Sequence, residues 1–108
     1  MLQSRLTAVF STLDAAEKAG LRKFVESPYH NSREDVIRLV DFLIKYSNKK
    51  DMLDKAIAFP YLFPHRAQYD DFSVRQAMTF LLRLIERFLV VERLRKDQVH
   101  QKITLAQV

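Results

Sequence analysis

His30, His65 and His100, the pair Asp70-Asp71, and Ser27 ahead of Pro28 are the residues whose types and spacing come nearest to chemistry in this chain. A zinc site needs ligands at set separations, such as two His one helical turn apart, often with Cys beside them. No two of these histidines have that spacing, and the chain has no Cys to assist. His30 and His65 both fall next to Pro-aromatic segments, so they can meet in space with Asp70 or Asp71 as a third group. Two surface loop histidines are the plainer expectation. Ser27 lacks the Gly-flanked elbow that exposes a hydrolase nucleophile, and reads as the end of a helix. A single Gly rules out a phosphate-cradling loop and a dinucleotide fingerprint. One carboxylate pair is a thin ligand set for Ca²⁺, which takes about six to eight oxygens. Helix capping is the better use of Asp70 or Asp71. These residues therefore predict no catalytic group, no metal and no cofactor, and a chain that is not an enzyme.

Tyr29, Tyr61, Phe63 and Tyr69 predict an aromatic cluster in loops. Aromatic side chains supply contact area at low entropic cost, which makes this cluster a candidate interaction surface. The competing expectation, and the preferred one, is that they close one end of a helical bundle. The formal charge of +5 raises nucleic acid as a partner. However, the basic residues are interspersed with Asp and Glu, and their densest spots (Arg22-Lys23, Lys45 with Lys49-Lys50, and Arg93 to Lys96) form no unbroken run. A solvated surface is the expectation, and nucleic acid is disfavoured. No apolar run approaches the ~18 residues of a membrane span. The opening residues carry one charge before Asp14 and no convincing cleavage site, so a signal peptide is not expected and the cytoplasm is the default.

The elements that must position these residues read as helices. The chain has 48% apolar residues and eight Phe, enough for a core, and too few Gly and Pro for many tight turns. Leu2 to Phe10 keeps helical spacing. Ser11 to Asp14 reads as a capping box for a second helix carrying Leu21, Phe24 and Val25 on one face. Gly20 within it predicts either the close approach of another helix backbone or a kink. Ser27-Pro28 stops that helix, because the residue before Pro is pushed out of the α region. Asn31 or Ser32 then caps a third helix, boxed by Asp35, with Val36, Leu39, Val40 and Leu43 inward. Asn48-Lys49-Lys50 is a turn, and Asp51 and Asp54 open a short fourth helix. Pro60 and Pro64 predict a turn or a short 3₁₀ piece around Tyr61 to Phe63.

The longest element runs from Asp71 to Gln98. Val74, Ala77, Met78, Leu81, Leu84, Ile85, Phe88 and Val91 recur at three-four spacing, the period of one helix face. Phe80, Leu82, Leu89 and Val90 lie outside that stripe, which predicts a central helix packed on several sides. The fold class is all-α: a bundle of about five helices, residues 1–98, around this C-terminal central helix. Residues 99–108 are a tail or the start of a further helix. At 1.5 Å per residue the central helix spans about 40 Å, against a diameter of roughly 34 Å for a compact domain of this length. It should overrun its bundle and carry Leu89, Val90, Val91 and Leu94 beyond it, with Glu92 marking where intrachain packing ends.

Residues Ser11 to Leu89 resemble the N-terminal part of a family of uncharacterised all-helical proteins from Bacteroidetes. The resemblance rests on Phe24-Val25-Glu26-Ser27-Pro28-Tyr29-His30-Asn31, similar to an FLxSPYFN pattern. It also rests on Leu62-Phe63-Pro64 followed by Tyr69-Asp70-Asp71, and on Arg75, Met78, Leu81, Leu84, Glu86, Phe88 and Leu89 along the central helix. His30 stands where that pattern has Phe, and Thr79 where it has Ser. The resemblance implies an all-α architecture and a module that continues into further helices in longer relatives. It implies no catalytic residue.

The functional expectation is an α-helical protein-interaction or scaffold module. Its candidate surface is Tyr29, Tyr61, Phe63, Tyr69, Leu89, Val90 and Leu94. The partner is another protein or a second copy, met at the C-terminal end of the central helix. The alternative is a nucleic-acid-binding helix-turn-helix, with Ser32–Ser47 and Asp51–Phe59 as the pair and Asn48 to Lys50 as the turn. Against it, the second helix of that pair would turn Asp51 and Asp54 toward phosphates.

Overall fold

The computed structural model describes the backbone of residues 4–106 and the side chains of residues 5–95. It is all-helical, with α1 (Ser4–Ser11), α2 (Ala15–Glu26), α3 (Glu34–Tyr46), α4 (Lys55–Leu62) and α5 (Asp71–Ala106). The long α5 packs against each of the other four helices, and α3 also packs against α2 and α4. The expected bundle around a long C-terminal helix is therefore present.

The core forms where the three-four stripes of these helices meet. Leu6 and Phe10 of α1, Leu21 and Val25 of α2, and Val36, Leu39, Val40 and Leu43 of α3 are buried together. They close on Val74, Ala77, Met78, Leu81, Leu84, Ile85 and Phe88 of α5. Phe24, expected inside, is only half-buried at the edge of this core. Fully burying one such side chain contributes about 1.5–3 kcal/mol, so these stripes dominate the stability of the fold.

Several local expectations are corrected. The capping box of α2 lies one helical turn later than Ser11: the Asp14 carboxylate accepts from the Glu17 amide at 2.7 Å, and Glu17 accepts from the Asp14 amide at 3.0 Å. Ser11 is instead the last residue of α1, and its hydroxyl donates to the Ala8 carbonyl. α2 runs unbroken through Gly20, which faces a side chain and not another backbone. A Cβ there would lie 3.1 Å from Cζ of Phe88, so the missing side chain makes room for a ring.

The cap expected from Asn31 is absent. The first residue outside α3 is Arg33, which makes no side-chain cap, and Asp35 pairs with its guanidinium at 2.7 Å. Asn31 is buried, and its amide nitrogen donates to the carbonyls of Val25 (2.9 Å) and Arg33 (3.1 Å). Its oxygen accepts from the Arg33 amide at 3.0 Å. One side chain thus ties the end of α2 to the start of α3, which satisfies backbone groups that the turn at Pro28 would leave unpaired.

Pro60 lies inside α4 and does not end it. Pro removes the bond to the carbonyl four residues back, that of Ala56. Both residues are exposed, so water can take that place. The helix α5 runs as one helix from Asp71 to Ala106. Residues 107–108 lie outside the described part. At 1.5 Å per residue α5 is about 54 Å long. The molecule measures 62 × 28 × 18 Å, elongated along one axis as an overrunning helix requires.

Candidate interaction surface

The four aromatic residues expected to cluster fall into three separate sets of ring contacts. Tyr61 of α4 reaches Tyr46 of α3, with the two hydroxyls 2.8 Å apart, and its ring packs on Phe42 at 5.2 Å. Phe63 and Tyr69 both pack on Phe59, each at 5.3 Å between ring centres. The Arg66 guanidinium covers the rings of Phe59 and Phe63. These contacts are satisfied within the chain, and they close the end of the bundle where α5 begins.

Tyr29 stands apart from both sets. It is 90% exposed and meets only the edge of His30 among described ring contacts. His30 stacks on Phe24 at 4.0 Å, and Phe24 meets Phe88 edge-on at 5.7 Å. Phe88 is about 25 Å along α5 from Asp71, since each residue adds 1.5 Å. His30 therefore sits far from His65, which lies in the turn after α4. The side chain of His100 lies outside the described residues. No group of His, Asp and Glu among the described residues can hold a metal ion.

Asp70 and Asp71 anchor the start of α5. Asp70 accepts from the Phe72 amide at 3.1 Å and from the Ser73 hydroxyl at 2.7 Å, and Arg66 pairs with it at 3.0 Å. The Ser73 and Arg66 bonds hold its carboxyl below the ordinary value. Asp71 accepts from the Tyr69 hydroxyl and pairs with Lys55 and Arg75. Burial and the Asp71 carboxylate push the Tyr69 phenol up to about 12. Both acids are thus used in capping and pairing, and no described polar side-chain atom is buried without a partner.

The C-terminal part of α5 is different. Past Phe88, Leu89 is half-buried, while Val90, Val91 and Leu94 are 59%, 49% and 58% exposed. Val90 and Val91 line one side of a cleft of about 550 Å³ whose other side is Phe24 and His30. Arg83, Glu86 and Arg87 also line it. A second hollow, lined by Leu89, Val90, Arg93 and Leu94, continues along the helix. Glu92 pairs with Arg95 at 3.9 Å on the same overrun. Sequence reasoning found the apolar overrun but missed the cleft. Its signal was present: Arg83, Arg87, Val90 and Leu94 follow three-four spacing on a face other than the core stripe.

The pair expected to form a helix-turn-helix is α3 and α4, which do pack together. The connection between them is longer than the expected three-residue turn. It runs from Ser47 to Asp54 and contains a 3₁₀ turn at Lys50–Met52. Asp54, not Asp51, caps α4, accepting from the Ala56 amide at 2.8 Å. Among the described residues no helix is long and apolar enough to cross a membrane. Comparison with protein-family profiles, with curated proteins and with solved structures gives no match.

Proposed function

We propose that this chain is a cytoplasmic α-helical interaction module without catalytic activity, which docks a protein through the exposed end of α5. The family of helical proteins it resembles is taken as its kin on the same reading. The observation that carries the proposal is the apolar group Val90, Val91 and Leu94, exposed on a helix whose earlier apolar residues are buried. Large exposed apolar patches on soluble proteins mark interaction sites. The tyrosine groups contribute less, because Tyr61 and Tyr69 are engaged within the chain.

A photo-crosslinking amino acid placed at Leu94 in living cells tests the proposal. The expected result is a protein adduct of defined mass at position 94, and none at exposed Lys23 on α2. An equal yield at both positions, or none at either, would end the reading. An adduct at twice the mass of the chain would identify a second copy as the partner.

A further inference from the structure

We propose that the exposed face of α5 forms one continuous groove for an acidic amphipathic helix of a partner protein, an inference that rests on the interaction-module reading and names its partner's chemistry. A second cleft, of about 370 Å³, lies on α5 toward its N-terminal end. It shares the lining residue Arg83 with the cleft at Phe24 and His30, so the two are neighbours along the helix. The apolar floor comprises Phe72, itself 58% exposed, and Phe80 in the first cleft, then Val90 and Val91 in the second. Phe72 to Val91 spans about 28 Å, the length of a helix of roughly 19 residues. An amphipathic helix laid in such a groove anchors through apolar residues at three-four spacing.

The charges select the sign of the partner. Arg33 and Arg75, already paired with Asp35 and Asp71, line the first cleft. Arg87 lines the second and Arg83 lies between them, so Arg83 and Arg87 carry the selection. Glu86 is the one acidic residue lining either cleft, and Arg5 pairs with it at 3.6 Å. Arg83 and Arg87 make no ion pair or hydrogen bond among the described residues, and both are exposed. Arg93 extends the same sign toward Leu94. A second copy laid on this face would bring arginines against arginines, which like-charge repulsion disfavours. Carboxylates flanking an apolar stripe would instead pair with the guanidiniums, often with two bonds each. Phosphates would match the charge and leave the apolar floor uncovered, so a peptide fits better than nucleic acid.

The test uses two fluorescein-labelled synthetic helices of about 20 residues, a length set by the groove. Both carry leucines at three-four spacing; one has Glu on its flanks and the other Lys. Fluorescence anisotropy with the whole chain should show the Glu peptide binding at least about tenfold more tightly than the Lys peptide, a ratio set by charge pairing. Arg83→Glu with Arg87→Glu should reverse that preference, and Val90→Asp should weaken the Glu peptide about tenfold. Both sites are exposed, and unchanged circular dichroism would establish that the variants fold. Equal binding of the two peptides, no binding of either, or indifference to the arginine reversal would overturn the proposal. So would duplex DNA displacing the Glu peptide, or a self-associated chain that excludes it. If the proposal fails while Leu94 still crosslinks a protein in cells, the interaction module stands and only the acidic-helix partner falls.

Discussion

From Asp71 to Phe88, α5 lies against four helices, and its apolar stripe is buried on every turn. From Leu89 onward the same helix carries the same residue types, but among the described residues Val90, Val91 and Leu94 are left exposed. The N-terminal end is also fastened, with Asp70 capping it and Asp71 held by Tyr69, Lys55 and Arg75. The difference teaches that periodicity shows which faces of a helix are apolar, and that the neighbours decide which of those faces become core. Where no neighbour exists, an apolar face is free to act as a docking surface.

The largest effect should come from the buried half. Leu84→Ala should lower stability by about 2–5 kcal/mol in denaturant unfolding, the cost of a cavity at a packed leucine. A loss below about half a kcal/mol would break the comparison, because α5 would then have no tightly packed part. Asn31→Ala should cost about 1–3 kcal/mol, since it leaves the carbonyl of Val25 and the amide of Arg33 without their buried partner. Asn31→Asp should not rescue it, because a carboxylate cannot donate to Val25 and Arg33.

The fastened end of α5 should also respond to pH. The Tyr69 phenol is raised from 10.0 to about 12, so its protonated form is favoured in the folded chain. The stability linked to it is fully present below pH 10 and is lost as pH rises toward 12. In Tyr69→Phe, unfolding midpoints across this window should fall less steeply than in the parent chain. An identical slope would show that the Tyr69–Asp71 contact adds nothing to the anchoring of the helix. The smallest effect is expected at the overrun. Leu94→Glu should change the stability of the isolated chain by no more than about 0.5 kcal/mol, as at ordinary surface sites. A loss comparable to that of Leu84→Ala would mean Leu94 is covered.

Much of this was legible in the residues. The buried stripes of α3 and α5 follow from spacing alone, because a helix face repeats every three or four positions whatever packs against it. The helix stop at Pro28 follows from local sterics. The role of Asn31 was not legible, because its partners belong to α2 and to the far side of a turn, and an Asn before a helix reads equally well as a cap. Pro60 inside α4 was missed for a related reason: the cost of a proline depends on whether the carbonyl it frees faces water. Tyr29 was grouped with Tyr61 and Tyr69 because all three adjoin loops, while the fold sends the α2–α3 turn and the α4–α5 turn to distant parts of α5. The basic groove was written in the spacing of Arg83, Arg87 and Val90. It becomes visible only once Phe24 and His30 are placed opposite.

The contrast between the two halves of α5 is tested most directly by native-state amide hydrogen exchange on the isolated chain. Amides on a tertiary-packed helix exchange only through large openings, whereas those on an unsupported stretch exchange through local opening of low free energy. The expected result is strong protection across 74–88, falling sharply through 90–95. Uniform protection from 74 to 95 would contradict the account, because it would mean the end of α5 is already covered and offers no free docking surface.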